Sequence, residues 1–204
     1  NSFGKNEMWY VMQAEKNAEL IVGFNKELKK ENYQTHLEKG SLMKVLNTEK
    51  VQKGDTFYIP TGRVHAIGAG VLLAEIQQTS NITYRIFDYD RVDKKTGSKR
   101  ELHNDLALDA IDFKCYKNYK TIYNKSINTT NKLVYSPYFK TNIIDISGEL
   151  QKNYTDLDSF VIYICVDGSL EIVWNQEIIT LNKGETLLIP ALINFLKIKS
   201  SSAK

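Results

Sequence analysis

The sequence predicts a mainly β protein built from two similar β units in tandem, with a short helical excursion in the first. Three observations predict it. Short apolar runs of strand length, rich in β-branched and aromatic residues, recur along the chain between Gly, Asp and Asn. The octad Lys53-Gly54-Asp55-Thr56-Phe57-Tyr58-Ile59-Pro60 returns 130 residues later as Lys183-Gly184-Glu185-Thr186-Leu187-Leu188-Ile189-Pro190, the mark of an internally repeated unit. Its physical content is a strand entered through a turn glycine and ended by a proline that cannot continue the ladder. Only between 25 and 47 do Leu28, Tyr33, Leu37, Leu42, Val45 and Leu46 switch to near-helical spacing among lysines and glutamates.

Taken in order, strands are expected at 8–13, 18–22, 57–60, 71–78, 82–87, 133–135, 142–146, 160–166, 170–174, 178–181 and 186–189. Tight turns belong at Asp167-Gly168 and Asn175-Gln176, between apolar runs. The 25–47 stretch reads as one or two surface helices broken near Gly40, with the charged run 26–31 as a solvated face. A second short helix is expected at 102–111, with Leu102, Leu106 and Ala110 on one face. The polar, aperiodic stretch 116–131 reads as a linker. The expected organisation is a first barrel over 1–115, the linker over 116–131 and a second barrel over 132–204.

Composition narrows the function classes. With 42% hydrophobic and 25% charged residues, the 204-residue chain is not a disordered polymer. No run of 18 apolar residues offers a membrane span. A net charge of +3 without a basic stripe gives no case for nucleic acid. Cys115 and Cys165 support neither a disulfide framework nor a Cys-rich zinc site, which fits a reducing, cytoplasmic setting. Gly68-Ala69-Gly70 lacks the third Gly and the following helix of a phosphate loop. Nothing in the sequence speaks to oligomeric state.

The candidate chemistry begins five residues beyond the first octad. A lone His is ordinarily structural, but Pro60-Thr61-Gly62-Arg63-Val64-His65 completes the pattern G-x5-P-x-G-x2-H, in which glycine allows a tight turn and imidazole is a common metal ligand. This resembles the second metal-binding motif of the cupin superfamily. In the second copy Gly62 becomes Leu192 and His65 becomes Phe195, so only one unit is expected to bind metal. If 71–78 and 82–87 form a hairpin centred on Ser80, Glu75 faces Arg85 and Gln77 faces Thr83. Such a face is either the solvent side of a half-buried hairpin or the wall of a polar ligand site.

The stretch Phe3-Gly4-Lys5-Asn6-Glu7-Met8-Trp9-Tyr10, the P-T-G-R-V-H-A segment 60–66, the run 73–91 and the tetrad Arg100-Glu101-Leu102-His103 together resemble the short bacterial type I mannose-6-phosphate isomerases. The resemblance is dense over 3–112 and looser over 132–199. It implies two tandem cupin-type (double-stranded β-helix, or jelly-roll) barrels, the second without metal ligands. It also implies a zinc cofactor, a small sugar-phosphate substrate, and zinc ligands at Glu7 and His65.

Beside that resemblance, Glu75 is the candidate proton shuttle, and Arg85 and Lys5 are candidates to fix substrate or meet its negative charge. Arg91, Lys99 and Arg100 are further possible phosphate partners, against structural pairing of Arg91 with Asp88 or Asp90 and a solvated basic loop for the others. The family also uses a His in an upstream His-Pro segment. This sequence has no His-Pro, and its other histidines, His36 and His103, lack that context. The expectation is therefore the C-terminal two-thirds of a longer protein, with an incomplete zinc site. The rival expectation is a non-catalytic sugar-phosphate-binding module.

Overall fold

The computed structural model describes residues 4–204, Ser202 by its backbone only, and is mainly β, as expected. Phe3 of the first motif stretch lies outside the described residues. One compact unit runs to Thr121 and takes in Ser136–Phe139; the other comprises Ile122–Tyr135 and Lys140–Lys204. Among the described residues no helix is long and apolar enough to cross a membrane.

The first unit contains β1 (Glu7–Ala14), β2 (Glu19–Phe24), α1 (Lys30–Glu38), β3 (Leu46–Lys50), β4 (Thr56–Ile59), β5 (His65–Ile67), β6 (Val71–Gln77) and α2 (Asn104–Ala110). Its strands pair antiparallel in the orders β4-β1-β6 and β3-β2-β5. Alternation along β1 sends Trp9 and Val11 into a core with Leu20, Val22, Val51, Phe57 and Ile59. Tyr119 joins that core from the polar 116–131 stretch, its hydroxyl donating to the Phe24 carbonyl at 2.8 Å.

The excursion forms a satellite core. Tyr33 of α1 is fully buried with Phe24, Leu28, Leu42 and Val45; its hydroxyl has no hydrogen-bond partner, and burial pushes its pKa up to about 12. The helix ends at Glu38 before Gly40, whose φ is +60°. The chain then becomes a strand from Leu46, earlier than the helical spacing suggests.

Several expectations need correction. Residues 82–87 form no strand, and β6 pairs instead with β1, so Glu75 lies opposite Trp9 and Gln77 opposite Glu7. The reason lies in a partner further along the chain: the N–H and C=O of Arg85, which a hairpin ladder would need, both go to His103. The expected helix 102–111 shortens to α2, which leaves Leu102 outside it; Leu102, Leu106 and Ala110 are all exposed, and Ala107 is buried instead. The expected strand 142–146 is divided between two others.

The second unit contains β7 (Asn131–Tyr135), β8 (Lys140–Ile143), β9 (Ile146–Asn153), β10 (Val161–Ile164), β11 (Ser169–Trp174), β12 (Glu177–Asn182), β13 (Thr186–Ile189) and β14 (Phe195–Ala203). Its sheets are β12-β11-β14-β9, β10-β13 and β7-β8. Ile146, Cys165, Leu170, Ile172, Leu181, Ile189, Leu196 and Ile198 fill its core. Asn175 and Gln176 both take positive φ, 46° and 72°, as a two-residue hairpin turn requires. Where this turn closes β11 onto β12, the first unit inserts its whole excursion between β2 and β3.

Candidate metal and active site

Two motif segments meet because the side chains of Asn6 and Thr61 tie them together. Asn6 donates from Nδ2 to Thr61 Oγ1 at 3.2 Å and to Gln78 Oε1 at 2.9 Å, and its Oδ1 accepts from the Tyr58 hydroxyl at 3.1 Å. Thr61 Oγ1 in turn donates to the Lys5 carbonyl at 3.0 Å. The start of β1 is thus fastened to the turn that leads into β5. That turn needs its glycine: Gly62 has φ +89°, and a Cβ there would meet the Ala110 carbonyl oxygen at 2.2 Å. The Gly62 carbonyl also accepts from the Asp112 N–H at 2.9 Å.

The register of β1 against β4 and β6 builds one wall of the first barrel. Its inward residues run Glu7, Trp9, Val11, flanked by Gln77, Glu75 and Leu73 on one side and by Ile59 and Phe57 on the other. The wall grades from polar at the Glu7 end to apolar at Val11. Glu7 is 1% exposed, and neither of its carboxylate oxygens accepts a hydrogen bond. Lys5 Nζ lies 2.5 Å from Glu7 Oε1 and donates to Gln77 Oε1 at 3.1 Å.

His65 enters from the facing sheet, in register with Val22, and its Nε2 lies 3.6 Å from Glu7 Oε2. Its Nδ1 lies 2.7 Å from the Arg63 carbonyl. A carbonyl only accepts, so Nδ1 carries the proton in the neutral ring, and the Nε2 lone pair faces Glu7. Trp9 packs edge-on against the His65 ring, centroids 5.3 Å apart, and donates from Nε1 to Glu75 Oε2 at 2.9 Å.

The structure therefore brings together Lys5, Glu7, His65, Trp9 and Glu75. Arg85 lies on the irregular 82–88 segment, where its Nη1 donates to the Glu101 carbonyl at 3.2 Å. The other candidate cations are engaged by carboxylates. Arg91 and Arg100 both pair with Asp88, a residue 7% exposed. Their hydrogen bonds hold the Asp88 carboxyl far below the usual range, Arg100 contributing most. Lys99 pairs with Asp90 at 2.5 Å.

Asn6 and the Arg63 carbonyl are parts of this site that the sequence reading does not single out, and Trp9 enters it as a partner of Glu75 and His65 rather than as a ring for stacking on sugar. Asn6 sits in the motif between Lys5 and Glu7, a signal that was available. Trp9 reads as core, and it is core on one edge. A carbonyl carries no side-chain signal at all.

A buried carboxylate that accepts no hydrogen bond and is offset only by the Lys5 ammonium at Oε1, beside an imidazole lone pair, is a donor set that fits zinc. Zinc takes three or four protein ligands, and among the described residues no third His, Cys, Asp or Glu completes a group.

The family profile described as the mannose-6-phosphate isomerase cupin domain matches residues 129–203. The mannose-6-phosphate isomerase ManA of Bacillus subtilis (strain 168) is 34% identical over 189 residues, covering 92% of this chain and 59% of its own length. The crystal structure of the mannose 6-phosphate isomerase from Bacillus subtilis superposes with a TM-score of 0.88 at 32% identity, covering 99% of this chain and 64% of that one. A zinc-bound holo mannose 6-phosphate isomerase shares the fold, with a TM-score of 0.68 at 13% identity over 98% of this chain and 64% of that one. The chain spans about three fifths of the length of the curated relatives it matches. By sequence along nearly all its residues and by its cupin-type fold, the chain is similar to the type I mannose-6-phosphate isomerases.

Proposed function

We propose that the first barrel forms part of a zinc-dependent aldose–ketose isomerase site that interconverts mannose 6-phosphate and fructose 6-phosphate through an enediolate. The observation that carries this reading is the convergence of Glu7 and His65, with Nε2 3.6 Å from a buried carboxylate that accepts no hydrogen bond. Glu7 and His65 are assigned as zinc ligands. The reading gives the site to the first barrel, 1–115, with 116–131 as connection and no ligands in 132–204.

When bound, zinc supplies Lewis acidity toward the sugar's carbonyl and hydroxyl oxygens. The remaining chemistry falls to the chain. Glu75 takes the proton from C2 of mannose 6-phosphate and returns it to C1, while the O2 hydroxyl proton passes to O1, giving the ketose; Trp9 holds one of its carboxylate oxygens and leaves the other for the proton. Lys5, at the Glu7 end of the wall, meets the developing oxyanion. Arg85 pairs with the negative charge of the substrate.

One observation favours the second reading, a sugar-phosphate-binding module without turnover: only two donors converge among the described residues. A single series of measurements separates the two. Zinc titration by competition with a chromogenic chelator should give one site of about micromolar or weaker affinity, abolished by Glu7→Gln and by His65→Asn. Zinc-dependent interconversion that Glu75→Gln lowers at least ~100-fold, with zinc content unchanged, supports the isomerase. Sugar-phosphate binding without zinc-dependent turnover supports the module, and zinc binding indifferent to Glu7 and His65 sinks the site itself.

A further inference from the structure

The tetrad Arg100-Glu101-Leu102-His103 takes no part in the chemistry above, yet it folds onto one of the candidates. The Arg85 N–H donates to His103 Nδ1 at 3.1 Å, the His103 N–H donates back to the Arg85 carbonyl at 2.7 Å, and Arg85 Nη1 donates to the Glu101 carbonyl at 3.2 Å. Backbone and guanidinium of Arg85 are thus held by two residues of one tetrad, His103 and Glu101. His103 occupies the N-cap of α2, but its side chain makes no capping bond; the imidazole is committed to Arg85. The preceding residue of the clasp, Arg100, is fixed on Asp88. Just past the other end of α2, Asp112 is bonded to Gly62, in the turn leading to His65.

The geometry points to His103 as a positioning residue, a neutral imidazole acceptor that sets the place of Arg85. Through α2, it also links that guanidinium to the turn carrying His65. The inference rests on the reading of Arg85 as the partner of the substrate's charge. Its chemical core is independent of that reading: a backbone N–H only donates, so Nδ1 must be unprotonated to accept. The ring proton then sits on Nε2, which faces the Glu101 carboxylate at 4.0 Å. The Tyr84 ring lies alongside, centroids 6.2 Å away. A proton on Nδ1 would set N–H against N–H and release the Arg85 backbone.

Two readouts on the zinc-loaded chain test this. In the first, the 15N-amide resonance of Arg85 should move with pH at the same midpoint as the His103 ring nitrogens. His103→Asn keeps an acceptor near the Nδ1 position without titrating, so its Arg85 amide should be flat with pH. His103→Leu removes the acceptor and should speed Arg85 amide exchange about tenfold or more.

In the second, fructose 6-phosphate affinity measured by calorimetry should fall about tenfold in His103→Leu and return to within about threefold in His103→Asn. An Arg85 amide blind to His103 titration, or Asn and Leu variants equally impaired, overturns the positioning role. Unchanged affinity in Arg85→Ala overturns the substrate role of Arg85 instead, and the amide readout still decides whether the clasp exists.

Discussion

The two barrels share a hydrogen-bonded frame and differ in what it presents. In the first, Gly54 donates to the Val11 carbonyl at 2.8 Å and Val11 to the Asp55 carbonyl at 2.9 Å; in the second, Gly184 donates to Cys165 at 2.7 Å and Cys165 to Glu185 at 3.0 Å. The acid after each glycine caps the same turn, Asp55 accepting from the Gln52 N–H and Glu185 from the Asn182 N–H. Each strand ends at a proline whose carbonyl closes the next turn, on Arg63 and on Ile193. The registers then match position for position. Glu7, opposite Ile59, corresponds to Val161, opposite Ile189. Trp9 corresponds to Tyr163, Gly62 to Leu192 and His65 to Phe195.

Where the first barrel places a buried carboxylate and an imidazole, the second has an aliphatic and an aromatic side chain. The lesson is that the octad encodes a frame, while the function of either copy depends on three or four positions just outside it.

Exchanging those positions breaks the comparison most severely at the turn. Gly62→Leu, which imports the second copy's residue, should destabilise the first barrel by about 3 kcal/mol or more, because a side chain is forced into φ +89° and into the Ala110 carbonyl. The reverse change, Leu192→Gly, should cost about 1 kcal/mol or less, since Leu192 is 93% exposed and has little packing to lose. Urea unfolding can follow the barrels separately, because Trp9 lies in the first and Trp174 in the second, and Trp174→Phe or Trp9→Phe silences one. Equal losses at 62 and 192 would show that the turns are not constrained differently.

A smaller effect of opposite sign is expected at Glu7. Replacing it by Val, its counterpart in the second barrel, removes a buried carboxylate that accepts no hydrogen bond and has only the Lys5 ammonium to offset its desolvation. The metal-free chain should gain about 1–2 kcal/mol while losing zinc affinity. Lys5, released from the ion pair, is 21% exposed and can reach water. A destabilised Glu7→Val chain would mean that the Lys5–Glu7 pair outweighs the desolvation of the carboxylate, and that Glu7 is kept for structure.

The strands of the frame were legible because their alternation and turn residues act locally; β1, β2, β4, β6, β11, β12 and β13 fall where the apolar runs predict. What escaped depends on distant partners. β3 and β5 are polar or very short and become strands only by pairing with β2. The 82–87 run has strand composition, but Ile86 and Phe87 are consecutive and both pack toward the satellite core, which no flat alternation permits. Glu7 and His65 could be singled out by motif, and their approach follows from the Asn6–Thr61 tie. Arg85 could be named but not placed, because its position is set by His103, eighteen residues further on.

The smallest expected effect compares two acids that each face two cations. Asp88 of the first unit is 7% exposed between Arg91 and Arg100, whereas Glu149 of the second is 41% exposed between Lys197 and Lys199. Both carboxyls are held below their ordinary values, chiefly by the hydrogen bond from Arg100 in one case and from Lys197 in the other. A folded-state pKa below the unfolded one contributes stability that is in place above the unfolded value, about 3.9 for Asp and 4.3 for Glu. That contribution is lost as pH falls through the folded value.

The stability difference between wild type and Asp88→Asn should therefore stay constant from neutral pH to about pH 4 and close only below it. It should persist at about 1 M salt, because bonded guanidiniums on a buried carboxylate are poorly screened. For Glu149→Gln the difference should be near the limit of detection at low salt and absent at high salt, as for exposed lysine pairs generally. Salt sensitivity at Asp88 equal to that at Glu149 would mean that the two-arginine clasp is an ordinary surface pair, and that the 88–103 loop owes its order to something else.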